Sequence, residues 1–323
     1  MQGKVMPEPT ATTPVYVGID VCKAWLDVYL HPSALRLRVA NDRVGLKRLK
    51  RALAGHEIAL IVMEATSKYH RQAHRGLHAG GFPLAIVNPL RARLFAEAVG
   101  ALAKTDAIDA KLLAVFGESL KPGPTPPATQ NLEDLQELVR ARQVAVAEAT
   151  ALTNQRHSAQ TAFLKAELAR RRTSLAKHLA RLEAEIERRI QSDPILEKRQ
   201  QILRSIPGVG PVAAIALLVG LAEIGACSAK QASMLAGLAP VACDSGDKSG
   251  QRHIRGGRAK VRTAIYMAAV AATRANPQLK AFYKRLRDNG KPAKLALTAV
   301  MRKIVVLANT LIRENRLWQP IHA

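Results

Sequence analysis

The amino-acid sequence predicts an α/β domain with a mixed sheet, followed by a long helical arm and a mainly helical C-terminal domain. Three strand-like runs, followed by alternating helix and strand patterns, indicate the α/β domain. The proline-rich stretch KPGPTPPATQ (121–130) is typical of a linker. The predicted boundaries are residues 14–120 for the α/β domain, 121–130 for the linker, 131–203 for the arm and 204–323 for the final domain.

The predicted strands follow one another along the first domain. The segment PVYVGIDVCKAWLDVYL (14–30) suits two strands joined by a tight turn near Lys23. ALRLRVA (34–40) alternates apolar and basic residues, as a strand with one solvent-exposed face does. EIALIVMEA (57–65) is a continuous apolar run, typical of a strand buried on both faces, and PLAIVNP (83–89) predicts another strand.

Helical patterns fill the intervals between these strands. Asn41 or Asp42 can cap the helix in DRVGLKRLKRALAG, which ends at a glycine. A helix rich in His and Arg is expected at 69–79, and further helices extend to about residue 120. The first domain therefore combines both element types along its whole length.

The arm shows a helical periodicity with one interruption. Leu175, Leu179, Leu182 and Ile186 keep the four-three spacing of a helical hairpin or a coiled-coil seam. The polar stretch TNQRHSAQT (153–161) breaks the pattern, which argues against one uninterrupted coiled coil. Such an arm can serve dimerisation, and its basic surface also suits nucleic acid.

The net charge indicates a polyanionic partner. The 323 residues include 49 Lys and Arg against 25 Asp and Glu, a formal charge of +24. So large a charge repels itself unless a partner neutralises it, which makes nucleic acid the leading partner. Only 4% of the residues are aromatic, which argues against a platform that stacks single-stranded bases.

The cysteines and the apolar runs indicate a reduced cytoplasmic protein without a membrane partner. Cys22, Cys227 and Cys243 are odd in number and lack CxxC spacing, so neither disulfides nor a zinc site is expected. The start of the sequence lacks the apolar core of a signal peptide. The most apolar run (212–226) is too short to span a bilayer and contains Glu223.

Four acidic residues stand out in this basic chain. Asp20 and Glu64 each end an apolar strand, where a carboxylate is costly unless it finds solvent, a donor or a cation. Asp106 and Asp109 lie one helical turn apart in AKTDAIDAK. An ordinary explanation exists for this pair, because Thr105 is a good N-cap and acids suit a first helical turn.

A metal site explains all four acids together. If the first and fourth strands are neighbours, Asp20 and Glu64 emerge side by side, and a helix can bring the other two opposite. Converging carboxylates repel one another unless divalent cations lie between them, and oxygen ligands suit Mg²⁺ or Mn²⁺. Two such ions can activate a nucleophile and stabilise the leaving oxygen of a phosphodiester.

Two further segments, both in the C-terminal domain, suit phosphate chemistry. In LRSIPGVGPVAAIALL (203–218), Gly208 and Gly210 allow close approach of a phosphate to the next helix N-terminus, the form of a helix-hairpin-helix element. An ordinary turn between core helices is the alternative. The second segment, APVACDSGDKSGQRHIRGGRAKVR (239–262), places Ser245 and Ser249 before glycines.

Basic residues accompany these serines. From Cys243 to Ala323 there are 17 Lys and Arg against 4 Asp and Glu, which favours phosphate contacts. Nearby cations can activate a serine hydroxyl and stabilise charge on a phosphate. The expected nucleic-acid contacts in this segment are Lys248, Arg252, Arg255, Arg258 and Arg262.

Three segments, YVGIDVCKAWLDVYL, VMEATSKYH and ALAKTDAIDAKLLA, together resemble the transposases of insertion-sequence family 110, relatives of the Piv invertases. The C-terminal motifs match too, so the resemblance covers essentially the whole chain. It implies a RuvC-like first domain with an RNase H fold, whose DEDD tetrad binds Mg²⁺. Matched residue by residue, that tetrad falls on Asp20, Glu64, Asp106 and Asp109.

The resemblance also implies a composite site and a set of partners. Family members carry a nucleophilic serine followed by glycine and a downstream GGR, which falls on Ser245 through DSG, with Ser249 as the alternative. The serine is expected to form a covalent phosphoserine link to DNA. The implied partners are double-stranded DNA at the element ends and the target, a structured guide RNA, and further copies of the chain in a dimer or tetramer, in the nucleoid of a bacterium.

The sequence therefore predicts a transposase or site-specific recombinase that uses Mg²⁺ and Ser245. One alternative is a RuvC-like, structure-specific endonuclease that hydrolyses DNA without a covalent intermediate. The other is a basic nucleic-acid-binding protein without catalysis, against which the presence of all four acids and Ser245 argues.

Overall fold

The computed structural model describes residues 13–101, 106–246, 250 and 252–320, with only the backbone described for 106–108. The chain forms two compact units, Met1–Ala128 and Thr129–Ala323. Thr105, Lys248 and Ser249, which the sequence singled out, lie outside the described residues, as does the side chain of Asp106.

The first unit is built on a mixed five-stranded sheet, as the sequence predicted. The strands are β1 (Val15–Val21), β2 (Trp25–His31), β3 (Leu35–Ala40), β4 (Ile58–Glu64) and β5 (Leu84–Val87). Their order is β3-β2-β1-β4-β5. The first three strands pair antiparallel, as a meander, whereas β4 and β5 run parallel to β1.

Four helices accompany this sheet, α1 (Arg43–Leu53), α2 (His70–His78), α3 (Pro89–Ala98) and α4 (Asp106–Leu120). Asp42 is the cap of α1, since its Oδ1 accepts a hydrogen bond of 2.7 Å from the Gly45 amide. Asn88 caps α3 in the same way, with Pro89 in the first turn.

The two faces of the sheet pack against different helices. The face that carries Val17, Ile19 and Met63 forms one core with Leu49 of α1 and Leu77 of α2. Alternate residues of the same strands point to the opposite face, where Leu60 and Val62 pack against Leu113 and Phe116 of α4. The sheet is thus covered by helices on both sides.

The second unit begins with a helical hairpin, α5 (Gln130–Ser158) and α6 (Ala162–Gln191). Arg142 contacts Glu183 at 2.7 Å, and Arg189 contacts Asp134 at 2.6 Å, so the two helices run antiparallel. Only the end of the polar stretch 153–161 forms the turn between them, because α5 continues as a helix to Ser158. The four seam residues are half-buried or buried: Leu175, Leu179, Leu182 and Ile186.

The remaining elements are mainly helical, as predicted. They are α7 (Pro194–Ser205), α8 (Pro211–Gly220), α9 (Ala229–Leu235), β6 (Pro240–Val241), β7 (His253–Ile254), α10 (Ala259–Ala275), α11 (Pro277–Asp288) and α12 (Ala293–Arg313). Their core is continuous with the base of the hairpin, since Leu135 and Ile186 belong to the same cluster as Leu217 and Ile265.

Helix α12 is the one described helix whose length and apolar composition would allow it to cross a membrane. Core helices of globular units share that composition. Ala296, Val300, Ile304 and Ala308 of this helix are fully buried, and the last three belong to the core of the second unit. The composition of α12 is therefore accounted for by packing.

Candidate active site

Asp20 and Glu64 lie side by side at one edge of the sheet. Strands β1 and β4 are parallel and in register up to the pair Ile19 and Met63, so the next residue of each strand is an acid. Parallel strands end at the same edge, and residues that are level in neighbouring strands face the same side. Both acids are half-buried. The adjacency expected from the two strand ends is confirmed.

The edge also restrains the carboxylate of Asp20. Its Oδ1 accepts a hydrogen bond of 2.9 Å from the Val21 amide. Asp20, Glu64 and Asp109 all take part in polar or electrostatic interactions within the chain. None of the three is therefore an isolated surface acid.

Helix α4 lies directly on this face of the sheet. A Cβ on Gly18 would be 1.9 Å from the carbonyl oxygen of Ala110, so the helix backbone touches the strand there. One position earlier on the same face of β1, Tyr16 lies beside Gly117 of the helix. The helix therefore runs with its N-terminal end toward the edge that carries Asp20.

This contact between α4 and β1 brings Asp109 to the edge of the sheet that carries Asp20 and Glu64. Asp109 immediately precedes Ala110 and is half-buried. Asp106 is the first residue of α4, one helical turn farther toward the N-terminus. The structure thus brings Asp20, Glu64 and the start of α4 to the same end and the same face of the sheet.

The donor types at this edge suit a hard divalent cation. Among the described side chains, no group of three or more His, Cys, Asp and Glu residues is arranged to hold a metal ion. Magnesium sites, however, commonly use one or two carboxylates, with water and substrate phosphate oxygens as the other ligands. The adjacent carboxylates of Asp20 and Glu64 match that pattern.

Sequence reasoning missed an ion pair in the same row of residues. Asp27 of β2 is level with Asp20, and Arg38 of β3 is level with Asp27. Arg38 donates two hydrogen bonds to Asp27, of 2.7 and 2.9 Å. The available signal was an aspartate within the apolar strand WLDVYLH and an arginine within LRLRVA, but only the register reveals that they meet.

Ser245 lies in a loop that the two strands β6 and β7 close. Pro240 pairs with Ile254, and Val241 pairs with His253. Within the loop, the Gly250 amide donates a hydrogen bond of 3.1 Å to Oδ1 of Asp244, the residue before Ser245. Ser245 is solvent-exposed. The loop therefore holds the serine at the surface of the second unit, whereas the four acids belong to the first.

Cys243 and Gly250 lie in close backbone contact within this loop. A Cβ on Gly250 would be 2.2 Å from the carbonyl oxygen of Cys243, so no side chain fits there. Arg252 lies 3.8 Å from Asp244 and extends the polar cluster. These contacts connect Asp244, the residue before Ser245, to Gly250 and Arg252.

The arginines beside the loop divide into two groups. Arg258 donates hydrogen bonds of 2.6 and 2.5 Å to the Glu223 carboxylate. It also donates one of 2.8 Å to the Gly220 carbonyl oxygen. Arg262 donates to the Gly256 carbonyl at 2.9 Å. Arg255, in contrast, is exposed to solvent. Arg258 and Arg262 therefore have structural contacts, whatever they also bind.

The Arg258 contact alters the acidity of Glu223. Burial alone would raise the pKa of Glu223, but the hydrogen bonds and positive charge of Arg258 outweigh it. The pKa of Glu223 consequently lies below its ordinary value. Glu223 is therefore ionised at neutral pH. Its two hydrogen bonds with Arg258, the residue just before α10, persist there.

The glycine turn between α7 and α8 has two glycines with different surroundings. Gly208 has φ +99°, and a Cβ there would be 2.5 Å from the Ala272 backbone of α10. Gly210 is the N-cap of α8, with no side-chain cap and open space around it. Gly208 is needed for packing, whereas Gly210 leaves a helix N-terminus accessible.

Comparison with known proteins finds similarity over most of the chain. A family model for transposases, DEDD_Tnp_IS110, matches residues 17–164, and one described as transposase IS116/IS110/IS902 family matches 200–284. The pilin gene-inverting protein of Moraxella bovis is 28% identical over 93% of this chain and 96% of its own length.

Two insertion-element proteins are similar over a shorter stretch. An uncharacterized 43.6 kDa protein of IS110 from Streptomyces coelicolor is 29% identical over 46% of this chain and 36% of its own length. An uncharacterized 42 kDa protein of IS900 from Mycobacterium paratuberculosis is 31% identical over 45% of this chain and 38% of its own length.

Proposed function

The chain belongs to the IS110 family of transposases, and on that basis we propose that it cuts and rejoins DNA strands with an acidic metal site and Ser245. Family membership makes it an enzyme of DNA recombination, as the sequence predicted. The observation that carries the proposed mechanism is the adjacency of Asp20 and Glu64 beneath the N-terminal end of α4.

The proposed first domain is RuvC-like, an RNase H fold in which Asp20, Glu64, Asp106 and Asp109 hold Mg²⁺ or Mn²⁺. Three observations support this: the mixed sheet, the neighbouring positions of Asp20 and Glu64 at one edge of it, and the packing of α4 against that face of the sheet. A bound divalent cation would supply Lewis acidity toward a phosphate oxygen. The four carboxylates would supply its protein ligands.

Ser245 is the proposed nucleophile. Its hydroxyl oxygen forms a bond to phosphorus while one bridging P–O bond of the DNA backbone breaks. The hydroxyl proton leaves to a base or water, and the departing oxygen is protonated. Because the phosphodiester is conserved in the serine ester, a second DNA hydroxyl can displace the serine and join a new strand. An exposed serine in a closed loop supports this role.

The proposed partners are double-stranded DNA, a structured guide RNA and further copies of the chain. The charge of +24 supports a polyanionic partner. The exposed Arg255, together with Arg252 and Lys248, is the proposed phosphate-binding edge of the serine loop, and the turn before α8 is the proposed helix-hairpin-helix grip.

The decisive experiment is metal-dependent cleavage of a DNA substrate by Asp20→Asn, Glu64→Gln and Asp109→Asn proteins. Each should lose cleavage by about 100-fold or more while remaining folded by circular dichroism. Glu97→Gln is the matched control, since Glu97 is an exposed acid of the same unit that pairs with Arg93 on its own helix. Full cleavage by all three variants would reject the metal site, whereas a folded parent that binds DNA without cleaving it would favour a nucleic-acid-binding protein.

A further inference from the structure

One row of level residues crosses four strands of the first unit. Arg38, Asp27 and Asp20 are level in β3, β2 and β1, and Glu64 follows directly after Met63, which pairs with Ile19 of β1. The row therefore carries one guanidinium and three carboxylates in sequence. Directly opposed residues on one face have Cβ atoms roughly 4.5–5.5 Å apart, so like charges at these positions destabilise one another.

The ion pair in this row is well formed. The side chain of Asp27 is only 16% exposed, and Arg38 covers it with two parallel hydrogen bonds. A carboxylate this buried is costly without a cation, and a two-pronged arginine contact is the strong form of such a pair. The pair thus fixes the position of Asp27 beside Asp20.

The same pair borders the start of α4. Asp27, Tyr29, Arg36 and Arg38 line one surface hollow together with Ala110, the residue after Asp109. The guanidinium of Arg36 lies over the ring of Tyr29, 5.8 Å from its centre, so two guanidinium groups line this hollow. The hollow therefore adjoins the acidic edge on the side of β2 and β3.

We propose that Asp27 and Arg38 are positioning residues that set the charge which Asp20 and Glu64 present to a divalent cation. The inference rests on the proposed metal site and adds two residues to it. With both present, the guanidinium is hydrogen-bonded to Asp27. Without Asp27, the guanidinium is released next to Asp20 and competes with the cation. Without Arg38, a third negative charge faces the site.

The test is Mn²⁺ binding to the full-length protein without nucleic acid, measured by calorimetry or electron paramagnetic resonance. Asp27→Asn should weaken Mn²⁺ binding by about fivefold to tenfold, and Arg38→Gln should strengthen it by a similar factor, as expected for a charge change within one Debye length. The double variant should return to within about twofold of the parent, since it restores the net charge.

Opposite signs in the two single variants separate this role from a structural one. A pair that only stabilises the sheet would lower the melting temperature in both variants and leave the affinity unchanged. Arg142→Gln is the matched control, because it removes a comparable ion pair with Glu183 in the second unit. If Arg38→Gln does not fold, Asp27→Asn alone decides, and an unchanged affinity overturns the proposal.

The Asp20→Asn protein separates this inference from the proposed function. If the parent and Asp20→Asn bind Mn²⁺ equally, the metal site itself is rejected. If Asp20→Asn loses binding while Asp27→Asn and Arg38→Gln bind like the parent, only the role of the pair is rejected.

Discussion

Gly18 of β1 and Ala110 of α4 are in direct backbone contact. A Cβ on Gly18 would lie 1.9 Å from the Ala110 carbonyl oxygen and 2.4 Å from the Ala114 nitrogen. Strand and helix can approach this closely because residue 18 has no side chain. Since Asp20 lies two residues along the strand and Asp109 one residue before Ala110, this contact fixes how near the two acids lie.

Gly18→Ala should therefore damage both stability and the acidic site. The added methyl has only backbone atoms to push against, so α4 must move, at a cost of about 2–3 kcal/mol in the free energy of unfolding. Thermal unfolding measures the first effect and DNA cleavage the second. Gly55→Ala is the control, because nothing lies within 4 Å of a Cβ at Gly55. If a folded Gly18→Ala protein cleaved DNA like the parent, the close packing of α4 on β1 would not be required for cleavage.

The sequence predicts the strands well because their signals are local. The apolar run that ends at Glu64 and the strand that ends at Asp20 are visible in the residues themselves, and parallel pairing then makes the two acids neighbours. The cap of α1 by Asp42 is local in the same sense. Elements of this kind follow from periodicity and capping chemistry.

Contacts that depend on strand register or on tertiary packing could not be predicted. The pairing of Asp27 with Arg38 requires the alignment of β2 and β3, which their alternating patterns do not fix. The two hydrogen bonds from Arg258 to Glu223 join residues that are far apart in the sequence. From sequence, Arg258 is one of several basic residues near a serine, and only the fold shows that its guanidinium is engaged.

The turn before α8 offers a test of phosphate binding. Gly210→Asp should keep or slightly raise stability, since aspartate is a better N-cap than glycine and Gly210 has φ −78° in open space. Its negative charge should weaken DNA binding by about tenfold at low salt if this helix N-terminus contacts a phosphate. Binding is measured by fluorescence anisotropy across salt concentrations.

Gly210→Asn is the control for that experiment, because asparagine caps without charge and should bind DNA like the parent. Equal DNA affinity for the aspartate and asparagine variants would remove the turn from the DNA interface. The neighbouring Gly208 is unsuitable for this test, since its positive φ and its contact with Ala272 make any side chain destabilising.

The Glu223–Arg258 pair predicts a pH dependence of stability. Because the folded-state pKa of Glu223 is lowered, the pair's contribution is fully present above the ordinary value of 4.5 and is lost as the pH falls through the lowered value. Glu223→Gln should therefore lower the melting temperature at pH 7 by a few degrees, a difference that shrinks in acid. A difference that is constant from neutral to acidic pH would mean that the charge of Glu223 does not matter.

The role of Ser245 can be separated from hydrolysis by a trapped intermediate. Cleavage by water leaves free DNA ends, whereas attack by a serine leaves a protein–DNA ester that survives denaturation. Ser245→Ala should bind DNA like the parent, because phosphate contacts dominate binding and one hydroxyl adds little. It should lose both the adduct and strand transfer.

The measurement is adduct formation on end-labelled DNA with Mg²⁺, comparing Ser245→Ala, Ser249→Ala and the parent. Ser249→Ala should keep the adduct, at a reduced rate if the loop is disturbed. The Asp244 carboxylate accepts a hydrogen bond from the Gly250 amide, which restrains the residue just before Ser245. An adduct lost only in Ser249→Ala would move the nucleophile to Ser249. A parent that cleaves without any adduct would instead favour a structure-specific endonuclease that uses water.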